Sequence, residues 1–264
     1  MISFIGCGNM ASAIIKGMCE CSFAKGCDIG VFDIDQKKTA ELSESLGIKA
    51  YTCVKELIKE SETVVLAVKP NIIPVLLKEN AEDFKNSNPL IISIAAGKSL
   101  EEISSYLGYE AKLVRIMPNI NAMVQSAVSA FCVNEKVSDT DKAFVQSFCD
   151  SFGKGIELQE KLFSIYSAIG GCSPAFVYMF IDSMARAAVK NGMTKQQALE
   201  VSAQAVLGSA KMILSSEEHP WQLVDRVCSP GGTTIEGVAS LQKDGFENAV
   251  INAVEASYNK DKKM

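Results

Sequence analysis

Hydrophobic positions follow two different rhythms along the chain. Through residue 158, short apolar runs of strand length, each closed by glycine, proline, asparagine or aspartate, alternate with stretches of helical spacing. The first run begins at Ile2 and ends in Gly6-Cys7-Gly8-Asn9-Met10-Ala11. Apolar or small residues then recur at Met10, Ala13, Ile14 and Gly17, so a buried strand is expected to turn directly into a helix. Further strands are predicted over residues 28–33, 62–70, 89–97, 111–119, 125–133 and 155–158. The 62–70 segment is apolar on both faces, as central parallel strands are. Helices are predicted over 39–46, through Leu76 and Leu77, and over 139–153, the last closed by glycine. From Glu160 onward strand signals stop and long helical patterns take over. Residues 174–189 are apolar around much of the helix circumference, which requires burial on more than one side.

The alternation predicts an α/β, Rossmann-like domain with a parallel-rich sheet over residues 1–158, and an all-α domain over 159–264. So few helices cannot hide that much apolar surface alone. A homodimer, or a higher homo-oligomer, built through the second domain is therefore expected. Only residues 259–264 read as a frayed tail.

The first strand-to-helix junction carries chemistry. G-x-G-x-x-A in that position forms a pyrophosphate site: Gly6 permits the tight turn, Gly8 offers no Cβ to the phosphates, and Ala11 lets helix and strand pack closely. The free N–H groups of the first helical turn point at the anion. Gly6, Cys7, Gly8, Asn9, Met10 and Ala11 are thus expected at a dinucleotide, although such glycines can also serve a tight turn alone. Asp33 ends the second strand about 25 residues beyond Gly8, where a carboxylate accepts hydrogen bonds from the adenosine ribose and repels a 2′-phosphate. It points to NADH, while Lys37 and Lys38 could swing toward a phosphate; the bland alternative is a solvated N-cap region. Val68, Lys69 and Pro70 lie at the end of the third predicted strand, placed to line the cleft. Ala95, Ala96 and Gly97 permit either close approach of a flat ring or tight packing. Asn119 can orient an amide or a water, or form a turn.

Two glycine-rich breaks interrupt the helices of the second half. The first, residues 168–174, ends in a proline suited to a first helical turn. In the second, Ser229 and the amides of Gly231, Gly232 and Thr233 stand at a helix N-terminus, which suits a carboxylate. Thr234 supplies a hydroxyl that both donates and accepts. An elaborate N-cap is the structural alternative.

Composition narrows the function classes. The chain has 264 residues, 48% hydrophobic and 22% charged, with a formal net charge of −5, which argues against a nucleic-acid or anionic-membrane surface. No uninterrupted apolar run of the roughly 18 residues needed to span a bilayer is evident, and no signal peptide is read at the start, so a cytoplasmic location is expected. Nine cysteines without C-x-x-C pairs, and a single histidine, suggest neither a disulfide framework nor a metal site.

Taken together, the segments Phe4–Ile14, Ala67-Val68-Lys69-Pro70, Ser93–Gly97, Arg115–Asn119 and His219-Pro220 leading into Val227–Thr234 resemble the pyrroline-5-carboxylate reductases over essentially the whole chain. The serine-to-threonine block is the most specific. The resemblance implies NAD(P)H-dependent reduction of (S)-1-pyrroline-5-carboxylate to L-proline, the last step of proline biosynthesis. It also implies a helical domain through which subunits exchange helices, with the site between chains. By the same resemblance, the substrate carboxylate lies on Ser229, Gly231, Gly232 and Thr233, Thr234 hydrogen-bonds the ring nitrogen, and Glu217 is an acid near the substrate. Two segments depart from the pattern: Ser-Gly-Ser-Gly-Pro-Ala is replaced by Gly170-Gly171-Cys172-Ser173-Pro174-Ala175, and Asn-Thr-Pro by Asn119-Ile120-Asn121.

A protonated cyclic imine is already an electrophile, so hydride transfer needs the two rings stacked at about 3–3.5 Å rather than a strong general acid. His219, before a proline, is expected to join helices. Another imine reductase or a β-hydroxyacid dehydrogenase is the alternative among enzymes, but Lys161 is followed one turn later by Ile165 where the latter wants an asparagine. A catalytically silent NAD-binding regulator is the alternative outside enzymes, and would have no use for a carboxylate cradle.

Overall fold

The computed structural model describes residues 1–263. In chain order, the α/β part runs β1 (Ile2–Ile5), α1 (Asn9–Glu20), β2 (Ile29–Phe32), α2 (Gln36–Leu46), β3 (Lys49–Ala50), α3 (Val54–Glu60) and β4 (Thr63–Leu66). It continues with α4 (Ile73–Glu79), α5 (Ala81–Ser87), β5 (Leu90–Ser93), α6 (Leu100–Leu107), β6 (Leu113–Met117), β7 (Ala127–Val133), α7 (Asp139–Asp150) and β8 (Gly153–Glu157). The strands form one sheet in the order β3-β2-β1-β4-β5-β6-β7-β8. Only the β6–β7 pair is antiparallel among the described pairs.

The period of two in each strand assigns side chains to the two faces. Phe4 and Val65 join Ile14, Ile15, Met18, Phe148 and Phe152 beneath α1 and α7. Their neighbours Ile5, Val64 and Leu66 point the other way, into Leu57, Ile58, Leu77, Phe84 and Ile103 beneath α3 to α6. Both faces are covered, as a largely parallel sheet requires. The predicted helix over 139–153 stops earlier, at Asp150, because Gly153 belongs to the sheet. A Cβ there would sit 2.1 Å from the Ala127 carbonyl oxygen.

Beyond the sheet, α8 (Phe163–Tyr166) leads through a π-turn, Ser167–Cys172, into α9 (Ser173–Lys190). Then follow α10 (Lys195–Ser215), α11 (Pro220–Val227), α12 (Thr233–Lys243) and α13 (Phe246–Asp261). The chain divides into two compact units, Met1–Gly171 with residues 260–263, and Cys172–Asn259. One expectation needs correcting: by length and composition the helical stretch Glu160–Lys190 is apolar enough to cross a membrane, with mean hydropathy 1.3 and 28% of that window buried. Gly170, Gly171 and Pro174 lie within it, where the helix widens into the π-turn and returns to α9.

Candidate functional site

The turn after β1 is shaped by one steric demand. Gly6 takes φ +107°, and a Cβ on it would meet the Ala67 carbonyl oxygen at 2.6 Å, so any side chain would force β1 and β4 apart. Gly8 differs. Its φ of −69° suits any residue, and nothing lies within 4 Å of where its Cβ would stand. Packing therefore does not require glycine at position 8, whereas a ligand seated directly on the backbone would. No side chain caps α1, so the N–H groups of Asn9, Met10 and Ala11 at its start are presented to an anion.

Cys7, within the same motif, has a partner inside the chain. Its N–H donates to Asp33 Oδ2 at 2.6 Å, and its thiol is buried, which together with the nearby Asp33 carboxylate pushes its pKa up to about 12. Its amide is thus engaged by Asp33 and its thiol is shielded from solvent. Asp33 Oδ1 accepts from the Asp35 N–H at 2.9 Å, so the carboxylate ties the end of β2 to the glycine turn. A carboxylate has about four acceptor positions, so two bonds leave capacity for a ribose hydroxyl.

A cavity of about 540 Å³ opens beside this turn, and Gly6, Gly8, Asp33, Val68 and Lys69 are part of its wall. The sequence reading missed several of its other members. Ile34, 94% exposed, Ile72 and Val75 supply an apolar wall suited to a flat base, and Lys38 stands at the same rim. The signal in the sequence was an isoleucine standing between Asp33 and Asp35, outside any predicted strand or helix. Lys38 Nζ lies 3.7 Å from Asp35 Oδ2, a loose and half-exposed pair. The cavity, the bare amides and the open space over Gly8 fit an adenine dinucleotide.

Pro70 is outside that lining and begins the turn toward α4. Ala95, Ala96 and Gly97 follow β5, which pairs with β4, and so lie at the same carboxyl edge of the sheet. Ala95 is buried, whereas Ala96 and Gly97 are exposed. Asn119 is not displayed toward a ligand. It is buried, its Nδ2 donates to the Gly170 carbonyl at 2.9 Å, and its Oδ1 accepts from the Asn121 N–H at 3.2 Å.

In the second unit, the segment before α12 makes a compact turn. The Gly232 N–H donates to the Ser229 carbonyl at 3.0 Å, and Gly231 takes φ +68°. Ser229 Oγ would lie 2.3 Å from a Cβ on Gly232, so glycine there is required to bring the hydroxyl over the helix entrance. No side chain caps α12, and Thr233 and Thr234 occupy its first two positions, exposed. The N-cap alternative fails at this point, because the serine does not satisfy the helix amides. Glu217 is exposed in the α10–α11 connection; its neighbour Glu218 pairs with Arg226 at 2.5 Å. His219 caps α11, accepting from the Trp221 N–H on Nδ1 at 3.3 Å, which gives it the helix-joining part expected. No cluster of metal-ligating side chains occurs among the described residues.

A family model described as pyrroline-5-carboxylate reductase dimerisation matches residues 160–264, and one described as NADP oxidoreductase, coenzyme F420-dependent, matches residues 1–97. The pyrroline-5-carboxylate reductase of Escherichia coli (strain K12) is 40% identical over 263 residues, covering 100% of this chain and 97% of the relative. That of Methanosarcina acetivorans is 36% identical over 263 residues, with the same coverage of both chains, 100% and 97%. Among solved structures, the pyrroline-5-carboxylate reductase of Coxiella burnetii superposes with a TM-score of 0.94 at 30% identity, over 99% of this chain and 97% of that one. The Plasmodium falciparum enzyme, solved with NADP bound, gives 0.87 at 33% identity, again over 99% and 97%. With a bare phosphate turn in one unit, an uncapped serine-to-threonine turn in the other, and this likeness running the length of the chain, the protein belongs to the pyrroline-5-carboxylate reductase family.

Proposed function

We infer that this protein reduces (S)-1-pyrroline-5-carboxylate to L-proline with NAD(P)H, the last step of proline biosynthesis, as a self-associated enzyme joined through its helical unit. The observation that carries this reading is the Ser229–Thr234 turn: a helix entrance with no cap of its own, held open by two glycines, in a chain that also carries a dinucleotide turn. A scaffold that only bound the dinucleotide would have no use for it.

The reduced nicotinamide supplies a hydride. The amides of Gly231, Gly232 and Thr233 with Ser229 Oγ hold the substrate carboxylate, as helix N-termini hold anions. Thr234 Oγ1 hydrogen-bonds the ring nitrogen, which enters as a protonated imine and leaves as an amine. No other proton donor is required, in keeping with a histidine committed to capping α11. Lys161 is exposed and has no asparagine one turn later, which disfavours hydroxyacid oxidation.

NADH is the preferred reductant in this proposal. Asp33, held at the cavity by two backbone N–H groups, presents negative charge where a 2′-phosphate would stand, and Lys38 only partly offsets it. The test is nicotinamide oxidation followed by absorbance with pyrroline-5-carboxylate, and with a hydroxyacid in the reverse direction. Turnover of the imine with kcat/KM higher for NADH is expected. Turnover of the hydroxyacid alone, or of neither compound, would overturn the reading, and a tenfold advantage for NADPH would overturn the cofactor preference.

A further inference from the structure

A helix that runs through a proline lacks the donor for the carbonyl four residues back, because proline has no N–H and its ring crowds that carbonyl. Here the proline is Pro174 and the carbonyl belongs to Gly170. The helical path widens into the π-turn Ser167–Cys172 immediately before it, a feature frequent at functional sites. Into this gap reaches Asn119, whose Nδ2 donates to the Gly170 oxygen at 2.9 Å. Its other arm is fixed as well, since Oδ1 accepts from the Asn121 N–H. Where the resembled pattern has proline at that position, no N–H would exist to orient the amide. Asn121 is this chain's own means of doing so.

Space around the turn is equally constrained. A Cβ on Gly170 would meet the Tyr166 ring at 2.6 Å, and that ring is anchored by its hydroxyl donating to the Val128 carbonyl at 2.7 Å. Gly170 is therefore required by Tyr166, which accounts for the missing serine. The turn stands at the carboxyl edge of the sheet, the edge where parallel sheets bind their ligands. A Cβ on Gly171 would be 3.7 Å from Met117, the last residue of β6.

We infer that Asn119 is a positioning residue: its side-chain amide replaces the N–H that Pro174 lacks and holds the π-turn open beside the end of β6. This deepens the reductase reading and rests on it. Asn119 acts through the Gly170 backbone and touches neither cofactor nor substrate.

The experiment is a double-mutant cycle between Asn119→Ala and Pro174→Ala, read by thermal midpoint, by kcat for the cyclic imine and by KM for NADH. Asn119→Ala should lower kcat about tenfold while KM for NADH stays within about twofold. Pro174→Ala returns an N–H to position 174, so in its background Asn119→Ala should shift Tm by less than half as much as in the wild-type chain. Asn119→Asp keeps the volume and the acceptor but loses the donor, and should behave like the alanine variant; it also serves should Asn119→Ala not fold. Additive Tm shifts, an active Asn119→Asp protein, or a raised NADH KM with unchanged kcat would overturn the proposal. If the wild-type protein reduces no cyclic imine, the reductase reading fails, while the Tm cycle still decides whether Asn119 and Pro174 are coupled.

Discussion

Asp33 carries two separable loads, and Asp33→Asn pulls them apart. Its carboxylate fastens the glycine turn through Cys7 N–H at 2.6 Å and Asp35 N–H at 2.9 Å, and it charges the wall of the cavity beside that turn. Asparagine keeps the shape and one acceptor oxygen but loses the charge. Hydrogen bonds to a charged partner contribute about 1.5–3 kcal/mol each, so weakening the turn and the ribose contact should lower kcat/KM for NADH by about 10–100-fold. For NADPH the same loss is offset by relief of repulsion. A unit charge about 5 Å from the carboxylate, at an effective dielectric between 40 and 80, costs about 0.8–1.7 kcal/mol, and a 2′-phosphate carries nearly two. The two terms nearly cancel, and kcat/KM for NADPH should change by less than about threefold. The assay is steady-state kinetics with both cofactors at one pH and one ionic strength, since screening acts on the second term alone. Equal losses for the two cofactors would show that Asp33 only fastens the turn and would remove the physical basis for NADH preference.

The two glycines of the turn should fail in opposite ways. Gly8→Ala, with open space around the new methyl, should keep Tm within about 2 °C while raising KM for the cofactor at least about tenfold, whereas Gly6→Ala should cost about 3 kcal/mol or more and give little folded protein. Thr234→Ala should lower kcat/KM for the imine by about 10–100-fold with KM for NADH unchanged; an unaltered kcat/KM would take Thr234 out of the mechanism. Burial pushes the thiols of Cys7 and Cys132 up to about 12, against about 8.5 in an unfolded chain. Their contribution to stability is full below the unfolded value and is lost as pH rises toward the folded one, so the urea midpoint should fall between about pH 8.5 and 12, and Cys132→Ala should flatten that fall. Iodoacetamide at about pH 8 should label the exposed Cys21, Cys27 and Cys53 before Cys7, Cys132 and Cys149, read by peptide mass spectrometry.

Much of the architecture was legible because each strand but β3 repeats its signal over four residues or more. β3 was not, since Lys49 and Ala50 are both exposed and two residues carry no period. The antiparallel direction of β7 was equally silent: apolar patterning reports burial, not polarity, and only a connection too short to cross the sheet, the turn Ile120–Val124, reveals it. At the site, the spacing of Gly6, Gly8 and Asp33 placed the glycine turn and the cavity edge. What could not be read was which partner each polar group takes. Cys7 lies inside the motif, yet its amide serves Asp33, and Asn119 lies at a strand end, yet its amide serves a carbonyl fifty-one positions away in the chain. Long-range pairing of this kind leaves no trace in local periodicity.

The two units differ in what holds them, and that difference ties function to assembly. The α/β unit encloses whole phenylalanines and isoleucines on both sides of its sheet. In the helical unit the buried positions among the described residues are Pro174, Ala185, Ala198 and Ser202, all small, while Tyr178, Met179, Val201 and Leu214 stand 58%, 71%, 57% and 87% exposed. Apolar burial contributes roughly 25 cal/mol per Å², and four small side chains cannot offset the entropy of ordering five helices. The missing burial comes from the family's own device, self-association through residues 160–264. Because that same segment carries Ser229–Thr234, this turn is built on helices whose stability is inseparable from protomer concentration. Dilution should therefore abolish imine turnover before it loosens the dinucleotide turn, which rests on a core of its own.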